Sequence, residues 1–157
     1  MIDLREPFGL TIFCDDVRQE VGGKMSLIGV YGADIQFSVP FPLTVPKLSL
    51  VAYYNIDARD PNRDDVELVV LFPGDPEDGP TVRSVFPIAQ MIEDVIRPEW
   101  LEADGLYRLS AVMTFSPLML KQPGEIRVRA MRSGDVIKLG SLVVREMASS
   151  QSVERVA

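Results

Sequence analysis

The sequence has no histidine, one cysteine and one tryptophan among its 157 residues. Without histidine there is no Ser-His-Asp triad, no Cys-His dyad, no imidazole acid or base, and no histidine-bound zinc or haem. The single thiol, Cys14, excludes an internal disulfide, and we interpret it as an inert core thiol. These absences remove most of the usual catalytic classes, so we expect the protein not to be an enzyme.

Long apolar runs and a secretory signal are also missing. The longest apolar runs, such as residues 68–72, reach about a quarter of the length that crosses a bilayer. Residues 1–6 carry charges of both signs, unlike the basic and then apolar start of a signal peptide. We therefore expect a cytoplasmic protein with no membrane span.

The net charge of −7 is unevenly distributed. Residues 55–105 carry 13 acidic and 4 basic side chains, whereas residues 106–145 carry 2 acidic and 7 basic ones. Because an acidic protein repels polyanions, we expect no general nucleic-acid binding. The polarity would favour head-to-tail contact between copies. We interpret Arg127 and Arg129, which alternate with apolar residues, as the solvated face of a strand, with an anion site as the alternative.

Apolar and polar residues alternate with a period of two along most of the chain, which is typical of half-buried strands. Strands are predicted at residues 8–14, 25–37, 48–56, 66–72, 81–86, 107–115, 126–130 and 136–145. In the first strand, Phe8, Leu10, Ile12 and Cys14 share one face. The three prolines of residues 39–46 predict an extended connection, and residues 88–97 are the only plausible helix.

About eight short strands, Pro/Gly turns and at most one short helix indicate an all-β protein. We predict a two-sheet antiparallel sandwich with an immunoglobulin-like final hairpin, and a partly open barrel is the alternative. A chain of this length buries roughly two-thirds of its unfolded surface around one core, so one domain is expected over residues 1–146. Residues 147–157 are predicted to be a disordered tail.

The most distinctive segment is residues 13–31, FCDDVRQEVGGKMSLIGVY. It resembles a family of uncharacterised bacterial and bacteriophage proteins, known as a domain of unknown function. The resemblance implies a bacterial or prophage setting. It brings no known activity, so it assigns no role to any residue.

Five charged residues lie close together in this segment, and we interpret them as a charged turn braced by ion pairs, with glycines at its tip. They are also the proposed contact surface: Asp15, Asp16, Arg18, Glu20 and Lys24. A metal-assisted hydrolase built on Asp15, Asp16 and Glu20 is an alternative. It requires the two adjacent aspartates to converge, although neighbouring strand residues point to opposite faces.

A second group of acids lies in residues 55–65. Ca²⁺ takes six to eight oxygen ligands, and four aspartates could supply them: Asp57, Asp60, Asp64 and Asp65. Under this alternative the protein is a calcium-dependent lipid- or ligand-binding sandwich. Arg59 and Arg63 lie among the acids, however, which favours solvated turn residues and no cofactor.

The sequence thus favours a non-catalytic β-sandwich that acts as a binding, adaptor or assembly module. Its partner would be another protein or a second copy of the chain, which makes a homo-oligomer possible. Such modules bind through loops at the ends of the sandwich or by pairing an exposed edge strand.

Overall fold

A computed structural model of the protein describes residues 3–94 and 105–148. These residues form eleven strands and one short helix. The strands are β1 (Phe8–Gln19), β2 (Met25–Val30), β3 (Asp34–Phe37), β4 (Leu43–Val45), β5 (Leu48–Asp57), β6 (Val66–Leu71), β7 (Val82–Phe86), β8 (Leu106–Phe115), β9 (Leu118–Leu120), β10 (Gly124–Arg132) and β11 (Asp135–Glu146). The helix α1 (Ile88–Glu93) follows β7.

The strands form two main sheets. The four-stranded sheet has the order β2-β1-β5-β8, the five-stranded sheet has the order β3-β11-β10-β6-β7, and β4 pairs with β9 in a small third sheet. All strand pairs are antiparallel except β3 with β11, which is parallel. The all-β sandwich and its final hairpin, β10 with β11, are confirmed. The strands beyond the expected eight are β3, β4 and β9, each of four residues or fewer.

The core lies between the two main sheets and is centred on β5. The inward-facing residues of β5 are Leu48, Leu50, Ala52, Tyr54 and Ile56, and all of them are buried. Alternate residues of β6, β10 and β11 meet them from the other sheet. Since full burial of one large apolar side chain stabilises a fold by about 1.5–3 kcal/mol, this layer is the main source of stability.

Residues 25–37, predicted as one strand, form two strands in different sheets. The chain crosses between the sheets at Tyr31, Gly32 and Ala33. The Tyr31 amide donates to Phe13 in the first sheet at 2.8 Å, and the Val143 amide donates to Ala33 in the second at 3.1 Å. Odd-numbered residues face the core on both sides of the crossing, so the alternation continues through it and conceals the break.

The apolar face of β1 is the second correction. Phe8, Leu10, Ile12 and Cys14 do share a face, but they lie on the outside of the four-stranded sheet. Their β5 partners are odd-numbered residues, whereas Gly9, Thr11 and Phe13 pair with the core residues of β5. Small residues face inward because β11 approaches closely: a Cβ on Gly9 would lie 2.8 Å from Leu139 Cδ2.

Cys14 is nevertheless fully buried, on that outer face rather than between the sheets. Burial and the neighbouring Asp15 carboxylate raise the pKa of its thiol. Both effects disfavour the thiolate, which is the reactive form. The expectation of a buried thiol is confirmed, and its position is corrected.

Two further predictions are refined. The proline-rich connection contains β4, and the peptide bonds Phe41–Pro42 and Ser116–Pro117, next to β4 and β9, are cis. The predicted helix is present as α1, but residues 95–97 lie outside the described residues, as does Trp100. Most of the predicted tail, residues 149–157, also lies outside them.

Candidate functional site

The predicted contact residues in residues 13–31 do not form one cluster. Asp15 and Asp16 lie within β1 rather than in the turn. Asp15 accepts a hydrogen bond from the Tyr31 hydroxyl, whereas Asp16 forms an ion pair with Lys47 and lies 3.5 Å from Arg18. The two carboxylates therefore have separate partners and do not converge as a hydrolase would require.

The turn itself is shorter than predicted. The Glu20 amide donates to the Lys24 carbonyl at 2.8 Å, and the Glu20 carboxylate accepts a hydrogen bond from Ser26 at 2.8 Å. Gly22 and Gly23 have φ values of 79° and 73°, which is the left-handed region that glycine adopts without strain. The backbone and the side chain of Glu20 therefore brace a hairpin between β1 and β2, and none of the ion pairs among the described residues involves Glu20 or Lys24.

The four candidate calcium ligands are also kept apart. Asp57 is buried and bound by Arg59, and Asp60 forms an ion pair with Arg132 of β10. Asp64 accepts a hydrogen bond from the Ser133 hydroxyl at 2.6 Å, and Asp65 is exposed. Within residues 3–94 and 105–148, no three His, Cys, Asp or Glu side chains are placed to hold a metal ion.

The acidic loop is thus tied to the turn between β10 and β11. The backbone amide of Arg5 also donates to Asp57, at 3.1 Å, which fastens the N-terminal segment to the same loop. Two of the four aspartates are neutralised by arginines, so the geometry gives the calcium hypothesis no support. It stays a prediction.

A cleft of about 510 Å³ opens at one end of the sandwich, beside Phe72, Phe115 and Met119. Its wall includes Asp75, whose carboxylate accepts hydrogen bonds from the amides of Phe72 and Thr81, each at 2.9 Å. The Thr81 hydroxyl donates to the same carboxylate. Asp75 therefore closes the loop between β6 and β7, and both of its carboxylate oxygens already accept hydrogen bonds within that loop.

Large apolar side chains are concentrated on the outside of the four-stranded sheet. Four of them are 40–56% exposed: Phe8, Leu10, Val30 and Val112. Val51 lies at the centre with no exposed surface, directly between Ile12 and Val112. We call these six residues the outer apolar face. Apolar surface gathered in one place on a sheet is typical of an interaction site.

The five-stranded sheet has a different outer surface. Val69 and Leu71 of β6 are its buried apolar residues there, and they pair directly with Arg129 and Arg127. The long stems of arginine cover apolar surface while the charged ends reach water. The arginine stems therefore cover Val69 and Leu71, whereas four outward apolar residues of the four-stranded sheet are 40–56% exposed.

The outer apolar face extends to β8, which is the outermost strand of the four-stranded sheet among the described strands. This strand has ten residues with no proline, glycine or acidic side chain, and its one charge is Arg108. Arg108 reaches back across its own sheet, donates to Asn55 at 2.9 Å and lies 5.3 Å from the centre of the Tyr53 ring. Natural edges are usually blunted by charge, proline or a bulge, and β8 has none of these along residues 109–115.

The other three sheet edges are better protected. Gly29 in β2 has a φ of 65°, which interrupts regular extended backbone there. β3 has four residues, and β7 has five, flanked by Pro80 and Pro87. Among the described strands, β8 is the long and regular edge that offers backbone groups to a further strand.

Comparison with known protein families identifies the family of this chain. A family model with the description family of unknown function, DUF6941, matches residues 9–145. The chain belongs to this family. The expectation that the chain belongs to an uncharacterised domain-of-unknown-function family is therefore confirmed. No curated protein and no solved structure matches the chain.

In this member of DUF6941, sequence reasoning missed the outer apolar face and the β8 edge. Strict alternation in residues 107–115 predicted the strand but not its place in the sheet. The missed signal was charge, because only one of the ten residues of β8, Arg108, is charged at neutral pH. The described residues also contain no helix with the length and apolarity that crossing a bilayer requires.

Proposed function

We propose that the protein is a non-catalytic assembly module, and that its partner is a second copy of the same chain. The β8 strands of two copies pair antiparallel, which joins two four-stranded sheets into one sheet of eight strands. The observation that carries the proposal is the ten-residue, nearly uncharged edge of β8 beside the outer apolar face. Backbone groups of the edge supply the hydrogen bonds, and Val112 is the member of the outer apolar face that lies on the paired strand.

The charges are compatible with this pairing. In a register centred on Ala111, Arg108 of each copy lies opposite Thr114 of the other. No two like charges then face each other, whereas directly opposed like charges destabilise a strand pair. Val112, which is 40% exposed in the single chain, comes to lie beside the outward residues of the second copy.

A bacterial or bacteriophage setting and a cytoplasmic location belong to the same proposal. The setting is supported by the resemblance of residues 13–31. Self-association inside a cell also fits a chain whose single cysteine is buried and uncrosslinked.

Sedimentation velocity of the full chain over a range of concentrations tests the proposal. We expect a dimer for the wild type, a monomer for Val112→Lys and a dimer for Val85→Lys. Val85 is the matched control, because it is an exposed valine, at 61%, on the edge strand of the other sheet. A charge introduced on an edge strand is a known means of preventing edge pairing.

Three results would contradict the proposal. One is a wild-type monomer at millimolar concentration. Another is a Val112→Lys dimer with an unchanged circular dichroism spectrum. The third is a dimer that dissociates in high salt, because screening weakens contacts between the acidic and basic regions but not an apolar strand pair. Hydrogen exchange should show protection of the β8 amides in the dimer.

A further inference from the structure

The outside of the five-stranded sheet carries a depression of about 450 Å³ between β10 and β11. We call it the basic groove, and its side chains come from Glu125, Arg127, Arg129, Lys138 and Ser141. It lies on the opposite side of the sandwich from the outer apolar face. Three of its five side chains are cationic in a protein with a net charge of −7.

A β-bulge brings these side chains onto one face. The register between β10 and β11 shifts next to Val128, and Gly140 has a φ of 135°. As a result Leu139 and Leu142 both face the core, and Lys138 and Ser141 both face outward. Bulges frequently serve to redirect a side chain near a functional site.

The bulge sets two cations directly opposite each other. Lys138 is the strand partner of Arg129, and Arg127 lies two residues before Arg129 in β10. Like charges in directly opposed positions destabilise a sheet. A local conflict of this kind is expected at functional sites, where the surrounding fold tolerates it.

A carboxylate from a distant loop already lies over the two arginines. Glu77, between β6 and β7, forms ion pairs through one oxygen with Arg127 and through the other with Arg129. These arginines hold the pKa of the Glu77 carboxyl below its usual range. The Glu77 side chain is 62% exposed, whereas the arginines are only 27% and 19% exposed.

Two carboxylates, Glu77 and Glu125, do not balance the three cations of the groove. Among the ion pairs of residues 3–94 and 105–148, none involves Lys138. A phosphoryl group has two negative charges near neutral pH and three oxygens that accept hydrogen bonds. Paired arginine forks, a lysine and a hydroxyl are the donors that such groups use in proteins.

We propose that the basic groove binds a phosphoryl group, and that Glu77 occupies the site in its absence. The incoming group displaces the Glu77 carboxylate and takes hydrogen bonds from Arg127 and Arg129. Lys138 adds the charge that Glu77 leaves unbalanced. The ligand is small, because the net charge of the protein repels a long polyanion. This site is independent of self-association through β8.

Calorimetric titration of the full chain with inorganic phosphate at constant ionic strength tests the proposal, and phosphoserine forms a second arm. We expect binding to the wild type and at least about tenfold tighter binding to Glu77→Gln, because the competing carboxylate is neutralised. Tighter binding of phosphoserine than of phosphate would identify an esterified phosphoryl group as the ligand. The reverse order would identify the free ion.

Two variants remove groove cations and one is the control. Arg129→Gln should abolish binding, and Lys138→Gln, an exposed change that spares the fold, should weaken it several-fold. Arg83→Gln should leave it unchanged, since Arg83 lies on the same face but is paired with Glu67 outside the groove. The proposal fails if Glu77→Gln binds phosphate no more tightly than the wild type. It also fails if Arg83→Gln weakens binding as much as Lys138→Gln.

Discussion

Both oxygens of the buried Asp57 carboxylate accept hydrogen bonds from the Arg59 side chain, from Nε to Oδ1 at 3.0 Å and from Nη2 to Oδ2 at 2.7 Å. The same guanidinium donates to the Asp3 carbonyl at 2.9 Å. The hydrogen bonds that Asp57 accepts from the Arg59 side chain and from the backbone amides of Arg59 and Arg5 hold its pKa far below its usual range. One side chain thereby ties the acidic loop to the N-terminal segment.

Acid should unfold the protein partly through this contact. Because the pKa of Asp57 is lower in the folded chain than in the unfolded chain, its stabilising effect is complete above about pH 4 to 5 and is lost as the pH falls further. We expect Asp57→Asn to have a lower urea midpoint than the wild type at pH 7 and a smaller decrease on going to acid. Urea titrations at several pH values measure both quantities.

The matched control is Asp65→Asn, an exposed acid of the same loop. It should leave the neutral-pH midpoint nearly unchanged, because surface substitutions away from special contacts alter stability by about 0.5 kcal/mol or less. Equal midpoints for the wild type and Asp57→Asn at pH 7 would show that the Arg59 contact does not stabilise the fold.

Gly9 should tolerate no side chain. An added Cβ would lie 1.9 Å from the Tyr53 carbonyl oxygen, so β1 would have to move away from β5. We expect Gly9→Ala to lower the free energy of unfolding by about 3 kcal/mol or more, at or beyond the upper end of overpacking effects. Gly32→Ala is the control, since nothing lies within 4 Å of its Cβ position. Similar urea midpoints for the two variants would contradict the strand spacing described here.

The Tyr31 hydroxyl should lose its proton at a higher pH than an ordinary tyrosine. Burial and its hydrogen bond to Asp15 raise the pKa of Tyr31 to about 12. Tyrosine ionisation is followed by absorbance as the pH is raised. We expect the difference between the titrations of the wild type and Tyr31→Phe to isolate the ionisation of the Tyr31 hydroxyl. Asp15→Asn should lower its pKa, although burial keeps it above the ordinary value. Asp16→Asn should have no effect, because Asp16 pairs with Lys47 instead. A shift of equal size in both variants would exclude a specific bond to Asp15.

The thiol of Cys14 should be nearly inert in the folded protein. It has no exposed surface, and burial raises its pKa. We expect a thiol reagent to modify the folded chain at least about a hundredfold more slowly than the urea-unfolded chain, since reaction must await local opening. The chain has one cysteine, so the signal is unambiguous. Rapid, complete labelling under native conditions would show that the outer face opens at Cys14.

Alternation along the chain was sufficient to predict a β-sandwich but not to predict which face of β1 is buried. The large residues Phe8, Leu10 and Ile12 suggested an inward face, yet the inward residues include Gly9 and Thr11. Close approach of β11 leaves room only for small side chains there. A period of two identifies two faces, whereas only packing against the second sheet decides which one is inside.

The basic groove shows a similar limit. The alternation of Arg127 and Arg129 with apolar residues predicts an outward strand face, with an anion site as the alternative. The spacing of Leu139 and Leu142, three residues apart and both buried, was the available signal of a bulge. Glu77 could not be found in this way, because it comes from a loop about fifty residues earlier that folds over the groove.

The strand order also determines when this protein can fold during synthesis. The four-stranded sheet needs β8 to be complete, and the five-stranded sheet places β6 beside β10 and β3 beside β11. A nascent chain that ends before residue 124 has no inner partner for β6, and its β3 has nothing to pair with. Neither sheet can cover the other until the last hairpin has left the ribosome. The first 123 residues, about four-fifths of the chain, must therefore wait, with apolar strands exposed, for the last hairpin at residues 124–146.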